Sequence, residues 1–234
     1  MGAVPGRTLV WHTWSPPDVK ASEDFPATAH GGPVTFTPDQ CGAQVTEKQA
    51  LRTQFRQTRR DHEAAIPAAM RGLLFLRPPA PLLELVPPEA TIGVYHPVGS
   101  EASPLGYARW FYEAGHPIAL PWFADRAAPM RFRGWSNPFD EDELEPAPWG
   151  GRQPDCGADL AEPAVLIVPL LGFTPDGMRL GQGGGHYDRY LAANQDAVTI
   201  GIAWDCQLVD SLPVESHDMP LRAVVTPTRF YGPF

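Results

Sequence analysis

The sequence predicts an α/β fold in which an open, mostly parallel sheet carries helices on both faces. An uninterrupted apolar run, residues 165–173, is typical of a strand that is buried on both faces. Strand, helix and strand patterns follow one another between residues 91 and 120, which indicates a parallel crossover unit. A glycine cluster, residues 181–185, lies between the apolar run and a helical segment that starts at Tyr187. Such folds bind ligands at the carboxyl ends of their strands.

The amino-terminal part, residues 1–44, differs in composition from the rest of the chain. It is rich in Pro, Gly, Ser, Thr and Asp and has no sustained apolar period, which predicts a poorly ordered extension. Its aromatic residues, Trp11, Trp14, Phe25 and Phe36, leave open a segment that lies across the folded domain. Residues 45–234 are expected to form a single α/β domain.

The first predicted helix runs from Thr46 to about Ala65. Thr46 can cap it, and Gln49 lies three residues later, as in a capping box. Lys48 and Arg52 are four residues apart and therefore share one face, which suits two cations that meet one polyphosphate. An ordinary solvated basic face is the alternative.

The later elements follow from apolar, β-branched runs and from proline and glycine breaks. A second helix is expected at about 67–76, and several prolines interrupt the chain after it. Ser103 and Pro104 suit the cap and first position of a helix that ends near Gly115. Strands are expected at 91–95, 117–120, 130–135, 165–173, 198–204 and 223–226.

The glycine cluster predicts an anion site at a strand-to-helix junction. Gly181, Gly183, Gly184 and Gly185 carry no β-carbon, so several backbone N–H groups can approach an anion at a positive helix end, and Arg179 adds further donors. A mobile loop is one alternative. A dinucleotide-binding turn is another, with Asp205 at a distance suited to a ribose contact, but His186 occupies its third glycine position.

Composition restricts the possible classes of partner and location. The net charge is −9 and the arginines are scattered, which argues against a general nucleic-acid binder. The three cysteines form no Cys-x-x-Cys pair, which favours a reducing cytoplasm. No stretch approaches about 18 apolar residues, and no secretory start is present, so we expect a soluble cytoplasmic protein without a membrane partner. We separately expect a monomer.

At the glycine cluster the chain resembles the 5-formyltetrahydrofolate cyclo-ligases, also called methenyltetrahydrofolate synthetases. Glu47 to Arg52 resembles the family's amino-terminal Lys-x-x-x-Arg helix, and Leu212-Pro213 with His217-Asp218 resembles its carboxy-terminal segment, so that roughly residues 45–230 are covered. The residues that match the signature are Pro169, Phe173, Gly177, Arg179, Leu180, Gly181, Gly183, Gly185, Tyr187 and Asp188.

The resemblance implies a Rossmann-like, three-layer fold and an ATP- and Mg²⁺-dependent enzyme. That enzyme converts 5-formyltetrahydrofolate to 5,10-methenyltetrahydrofolate and releases ADP and phosphate. Lys48 and Arg179 would be its catalytic cations. The residues that the resemblance assigns to ATP are Lys48, Arg52, Arg179, Leu180, Gly181, Gln182, Gly183, Gly184, Gly185, His186 and Tyr187.

The resemblance also assigns the folate and metal contacts. Glu101 resembles the substrate-pocket acid, although a helix amino-terminal acid is the alternative reading. The substrate set is Glu101, His96, Trp135 and Tyr187, and Met130, Phe132 and Trp135 resemble a Met-x-Phe-x-x-Trp segment that walls the pterin or packs in the core. Asp188 and Asp218 are the Mg²⁺ candidates. His217 lacks a second His or Cys at ligand spacing, which argues against zinc.

Three positions depart from the family pattern. His186 replaces the first of two common tyrosines, Gln182 stands where Tyr or Arg is frequent, and Gln153 precedes Pro154 where Glu is common. We expect His186 to be a pH-sensitive contact to phosphate or folate, and Gln153 to mark only a lost helix-end charge. A nucleotide- or folate-binding module without turnover therefore remains the second hypothesis, and a nicotinamide oxidoreductase the third.

Overall fold

The centre of the molecule is an eight-stranded sheet in which five neighbouring strands run parallel. The computed structural model describes residues 38–215 and 218–234, with side chains from Glu47 onward. The four aromatic residues of the predicted extension therefore lie outside the described residues, and its disorder stays a prediction for residues 1–37. The predicted boundary at residue 44 falls inside the first helix.

The described chain contains five helices, one 3₁₀ turn at Asp205–Gln207 and twelve strands. The helices are α1 Pro38–Ala65, α2 Ala68–Arg71, α3 Ala80–Leu83, α4 Leu105–Glu113 and α5 His186–Ala193. The strands are β1 Ile92–Gly93, β2 Ile118–Trp122, β3 Arg131–Gly134, β4 Leu144–Pro146, β5 Arg152–Pro154, β6 Leu160–Ala161, β7 Val165–Pro169, β8 Gly172–Phe173, β9 Arg179–Leu180, β10 Val198–Ile202, β11 Ala223–Val225 and β12 Phe230–Tyr231. No helix among them is both long and apolar enough to cross a bilayer.

The main sheet has the order β12-β11-β10-β7-β1-β2-β3-β6. Strands β11, β10, β7, β1 and β2 are parallel, whereas β12 at one edge and β3 and β6 at the other are antiparallel. The structure thus confirms the predicted open, mostly parallel sheet.

Side chains of the central strand β7 alternate between two hydrophobic cores. Val165 and Ile167 pack in the core that contains Phe111 of α4. Leu166 and Val168 pack in the other core, with Leu191 of α5. Because successive residues of a strand point to opposite faces, these two cores lie on opposite faces of the sheet. Helices therefore cover both faces, as predicted.

The predicted strand 165–173 is wrong as a single element. The main-sheet strand ends at Pro169, and Gly172–Phe173 pairs instead with Arg179–Leu180 in a separate two-stranded sheet. Gly172 lies against α1, where a β-carbon would come 2.7 Å from the Phe55 ring. Both strands are buried, so the apolar run continues through the break and periodicity cannot reveal it.

Two helix predictions also need correction. The first helix begins at Pro38 rather than at Thr46, and proline suits a first helical position because its φ angle is fixed near the helical value. The apparent capping box at Thr46 and Gln49 therefore lies inside the helix. The second helix, expected over 67–76, has only one turn, Ala68–Arg71.

Candidate active site

A cavity of about 660 Å³ opens at the carboxyl ends of the parallel strands. Tyr95 beyond β1, Pro121 in β2 and Pro169 at the end of β7 contribute to its lining. The site residues predicted from the sequence that also line it are Lys48, Arg52, His96, Glu101, Arg179, Leu180, Gly181, Gln182, Gly183, Gly184, Gly185, His186, Tyr187, Asp188 and Asp218. One cavity thus brings together α1, the glycine loop and the carboxy-terminal segment.

One side of the cavity, here called the basic wall, consists of Lys48, Arg52, Arg179, loop 181–185, Asp188 and Asp218. Lys48 is buried, and its ammonium group lies 2.7 Å from Asp218 Oδ2 and 3.2 Å from Glu215 Oε2. Lys48 is thus held by acids of the carboxy-terminal segment, far along the chain.

Arg179 is the second buried cation of the basic wall. Its Nη2 donates to Asp188 Oδ1 at 2.6 Å, and its Nη1 donates to the carbonyl of Met219. Asp188 lies in the first turn of α5, whereas Arg179 opens β9. The pair therefore clamps the two ends of the glycine loop together.

Arginine side chains of helix α1 hold the glycine loop by donating to carbonyl groups of the loop. Arg52 Nε donates to the Gly181 carbonyl at 3.1 Å, and Arg56 Nη2 donates to the Gln182 carbonyl at 3.0 Å. Gly183 has a φ of 103°, and a β-carbon there would lie 3.3 Å from the Arg52 guanidinium. Gly185 is left-handed, with a φ of 62°, where α5 begins. A strand, the glycine loop and a helix follow one another in the predicted order, but the strand before the loop is β9 rather than the predicted strand 165–173.

The opposite side, here called the aromatic wall, consists of Phe123, Met130, Trp149, His186 and Tyr187. The His186 ring lies between Phe123 and Trp149, with centroid distances of 5.0 and 5.2 Å. Burial, together with the neighbouring Arg189 guanidinium, lowers the pKa of His186. His186 is therefore a neutral aromatic ring near pH 7.

Tyr187 carries a buried hydroxyl that makes no hydrogen bond within the described part of the chain. Burial, and secondarily the Glu101 carboxylate, raises the pKa of this phenol, so it keeps its proton. A buried donor without an acceptor costs free energy unless a ligand supplies one. Since Tyr187 lines the cavity, its hydroxyl indicates a polar ligand atom there.

Glu101 lies on the loop before α4 and is fixed at both carboxylate oxygens. Oε2 accepts from the Val98 backbone N–H at 3.0 Å, and Oε1 accepts from Gln182 Nε2 at 2.9 Å. The Arg59 guanidinium lies 3.7 Å from Oε1. Glu101 therefore presents an oriented acid at the junction between the two walls.

The sequence interpretation missed Arg59. This residue is buried and donates to Ser100 Oγ at 3.2 Å and to the Leu170 carbonyl at 3.4 Å. Burial lowers the pKa of its guanidinium, and the Glu101 carboxylate partly offsets that effect. Arg59 follows Arg52 by two helical turns, so the i, i+7 spacing was the available signal.

Two predicted substrate residues occupy different environments. His96 lines the cavity, and its Nε2 lies 3.2 Å from Glu141 Oε2. Trp135 is only 3% exposed, belongs to the core that contains Phe111, and is not among the described lining residues. Its Nε1 donates to the Asp140 carbonyl at 3.2 Å. Trp149, which the sequence interpretation missed, lines the cavity instead.

Gln153 is not a residue that has lost a helix-end charge. It lies in β5, where its side-chain oxygen accepts from the Phe123 N–H at 3.1 Å. Its amide nitrogen donates to the Phe123 carbonyl at 3.1 Å and to Glu145 Oε1 at 2.9 Å. The buried amide of Gln153 therefore supports the aromatic wall from behind.

The carboxylates of the cavity suit a hard cation that is bound mainly by water and phosphate oxygens rather than by protein groups. Asp188 and Asp218 both line the cavity, and each is paired with a buried cation. No group of three or more His, Cys, Asp or Glu side chains at metal-binding spacing occurs in the part of the chain that the structure describes. Mg²⁺ needs only one or two carboxylates when phosphate oxygens and water complete its shell.

The fold and the cavity define an α/β protein with a basic glycine loop that faces an aromatic wall at the carboxyl ends of parallel strands. The chain belongs to the 5-formyltetrahydrofolate cyclo-ligase family, whose model matches residues 44–227. The resemblance seen in the sequence is thereby confirmed.

Curated relatives carry the same family name. The 5-formyltetrahydrofolate cyclo-ligase of Escherichia coli K12 is 55% identical over 69 residues, which are 29% of this chain and 38% of that protein. The one from Mycolicibacterium smegmatis is 33% identical over 144 residues, covering 59% of this chain and 74% of that protein. The chain thus spans less than half of the E. coli relative's length in that match.

Solved structures share the fold. A 5,10-methenyltetrahydrofolate synthetase from Mycoplasma pneumoniae superposes with a TM-score of 0.55 at 23% identity, covering 76% of this chain and 98% of that one. The Aquifex aeolicus 5,10-methenyltetrahydrofolate synthetase gives a TM-score of 0.60 at 21% identity, covering 78% and 93%. At these identities the likeness supports the architecture and the topology of the sheet.

Proposed function

We propose that this protein catalyses the ATP-dependent conversion of 5-formyltetrahydrofolate to 5,10-methenyltetrahydrofolate, with release of ADP and phosphate. The observation that carries the proposal is the meeting of Lys48, Arg52, Arg179 and the glycine loop with an aromatic wall in one cavity. Cations and loop amides suit a triphosphate, and flat aromatic surfaces suit a pterin. Membership of the family gives the substrate class.

The chemistry requires activation of an unreactive amide. The formyl oxygen attacks the γ-phosphorus and displaces ADP, which turns that oxygen into a leaving group. N10 then attacks the formyl carbon and loses its proton, and the C–O bond breaks to release phosphate. The oxygen of the formyl group ends in phosphate, and the carbon bridges N5 and N10.

These reaction steps need positioning of the substrates and stabilisation of charge rather than a side-chain nucleophile. Lys48 and Arg179 would neutralise charge that develops on the transferred phosphoryl group, while Arg52 and the loop amides hold the triphosphate. Both buried cations are paired with carboxylates, and phosphate oxygens would replace part of those contacts. Asp188 and Asp218 would hold Mg²⁺, which neutralises phosphate oxygens when bound.

On the folate side, Glu101, His96 and the Tyr187 hydroxyl would supply the polar contacts. Phe123, Trp149 and His186 would supply the flat surfaces against which a pterin or a benzoyl ring packs. We further propose a cytoplasmic monomer that acts on small molecules, without a nucleic-acid or membrane partner. Its acidic net charge of −9 and its lack of Cys-x-x-Cys pairs support this.

The decisive assay mixes the protein with 5-formyltetrahydrofolate, Mg²⁺ and ATP and follows methenyl-folate absorbance in the near ultraviolet. We expect an increase that requires both ATP and folate. No increase above a heat-killed control at high protein concentration would reject the activity. Calorimetric binding of ATP without product would then favour the binding module. The dinucleotide alternative fits poorly, because β9 lies outside the parallel sheet and His186 fills the third glycine position.

A matched pair of variants on one helix tests the basic wall. Arg52→Ala removes a cation that lines the cavity, and Arg60→Ala removes an exposed cation of the same helix that bonds Gln57. We expect Arg52→Ala to raise KM for ATP about tenfold, because that is the usual effect of losing one charge-assisted hydrogen bond. Arg60→Ala should leave KM for ATP unchanged. Equal effects in both variants would remove Arg52 from the site.

A further inference from the structure

Gln182, a residue of the glycine loop, links helix α1 to Glu101 through its side-chain amide. Its Oε1 accepts from Arg56 Nε at 3.1 Å, and its Nε2 donates to Glu101 Oε1 at 2.9 Å. Its backbone carbonyl also accepts from Arg56 Nη2 at 3.0 Å. One residue of the glycine loop is thereby bonded both to α1 and to the acid at the junction of the walls.

The chemistry of the neighbours permits only one orientation of this amide. A guanidinium has donors and no acceptor, whereas an ionised carboxylate only accepts. The oxygen of Gln182 must therefore face Arg56, and its nitrogen must face Glu101. The result is a directed chain of hydrogen bonds from Arg56 through Gln182 to Glu101, whose other oxygen is held by the Val98 N–H.

We propose that Gln182 is a positioning residue that sets the orientation of Glu101 and couples the glycine loop to the formyl-folate side of the cavity. The inference rests on the proposed function for the identity of the ligand. Glu101 lies on the loop between β1 and α4, and Gln182 provides its contact with the glycine loop. A nucleotide that fixes the glycine loop would therefore also fix the carboxylate, through the Gln182 amide.

The coupling should appear as reciprocity between the two ligands. If ATP fixes the loop with Gln182 in place, Glu101 is already oriented when the folate arrives, and folate binds more tightly. A substitution of Gln182 that removes the amide donor should abolish this ATP-dependent gain in folate affinity. The same substitution should weaken ATP binding by the same factor, but only when folate is present.

The test compares Gln182→Met, which keeps the length of the side chain and removes its hydrogen bonds, with Gln57→Met. Gln57 is an exposed glutamine of α1 whose amide donates to Asp61 at 2.7 Å. We expect Gln182→Met to raise KM for 5-formyltetrahydrofolate about five- to tenfold at saturating ATP, to raise KM for ATP by a similar factor at saturating folate, and to leave kcat within about twofold. Gln57→Met should behave as the unaltered protein.

A donor-bearing variant separates positioning from simple loop damage. Gln182→Arg restores a donor toward Glu101 without restoring the acceptor for Arg56, so it should recover most of the folate affinity that Gln182→Met loses. If Gln182→Arg and Gln182→Met weaken folate binding equally, or if the loss in Gln182→Met falls only on ATP, the proposal is wrong.

A measurement without ligand keeps the inference independent of turnover. Amide hydrogen exchange should be faster in a peptide that covers residues 97–101 in Gln182→Met than in Gln57→Met, because the carboxylate that accepts from the Val98 N–H has lost its hydrogen bond to Gln182 and keeps only the longer ion pair with Arg59 on Oε1. Unchanged exchange there would overturn the inference even if the enzyme is active. Faster exchange in a protein without turnover would support it while the proposed function fails.

Discussion

The two walls of the cavity are built in different ways. The basic wall draws most of its residues from one continuous stretch, 179–188, and completes it with α1 and Asp218. The aromatic wall collects its residues from separate places: just after β2, just before β3, the β4–β5 turn and the start of α5. In the basic wall every buried cation already has an acid partner, whereas the aromatic wall contains a buried hydroxyl that has none among the described residues.

This difference indicates which interactions a ligand must replace and which it must supply. At the basic wall the proposed triphosphate would exchange one set of charge pairs for another, so removal of a cation should weaken both ligand binding and the stability of the fold. At the aromatic wall a ligand adds contacts that the protein lacks, so removal of a side chain there should affect the ligand more than the fold. Four substitutions test this contrast.

The largest effect is expected for Arg179→Ala. It removes a buried guanidinium that bonds the Met219 carbonyl and Asp188, so kcat/KM should fall about 10²- to 10³-fold, the usual cost of one stabilising donor at a reacting centre. The free energy of unfolding should also fall by about 1–3 kcal/mol, because both partners lose their donor. Steady-state kinetics and urea denaturation measure the two losses. An active Arg179→Ala protein would break the contrast.

Gln153→Glu should weaken the support of the aromatic wall. The new carboxylate faces Glu145 and cannot donate to the Phe123 carbonyl, so we expect a loss of about 1–3 kcal/mol in the free energy of unfolding. Adding Glu145→Gln restores a donor between the two positions and should recover part of the loss. Urea denaturation of the single and double variants decides this, and a fully stable single variant would contradict it.

Tyr187→Phe removes only the buried hydroxyl of the aromatic wall. The hydroxyl has no partner within the described chain, so the free energy of unfolding should stay the same or rise slightly. KM for formyl-folate should rise about five- to tenfold if a ligand atom accepts from this group. Loss of stability with an unchanged KM would show that the hydroxyl serves the fold.

His186→Phe should give the smallest effect, one that depends on pH. The pKa of His186 is lowered in the folded protein, so below the ordinary histidine pKa of about 6.5 the unfolded chain takes up a proton that the folded protein does not. The stability of the unaltered protein should therefore fall relative to the variant as pH drops from about 7.5 to about 5. Urea midpoints at several pH values measure this difference. Parallel curves would exclude His186 as a pH-sensitive residue.

Local patterns predicted the parts of the fold and site that depend on neighbours in sequence. The glycine loop, the strands of the parallel sheet and two α1 cations, Lys48 and Arg52, were readable because each has a short motif or a period. The break in the apolar run at Pro169 was not readable, since both β7 and β8 are buried and equally apolar.

The parts that were missed depend on contacts between distant segments. Arg59 is buried because the loop of Glu101 and the carbonyl of Leu170 meet it, which the helix pattern alone cannot show. Trp149 and Trp135 carry the same side chain, and only the tertiary fold sends one to the cavity and the other to the core. The basic wall was therefore easier to predict than the aromatic wall.

The bond between Lys48 and Asp218 also bears on the order of folding. It joins residues that are 170 positions apart, and the two acids beside the Lys48 ammonium, Glu215 and Asp218, both lie in that late segment. Contacts of such separation are slow to form, because a long loop must close before they give any stability. During synthesis, the helix that carries Lys48 leaves the ribosome long before its acids do. Strands β1, β2, β7 and β10 precede Asp218 in sequence, so they can pair while the cavity still lacks the acids that hold Lys48.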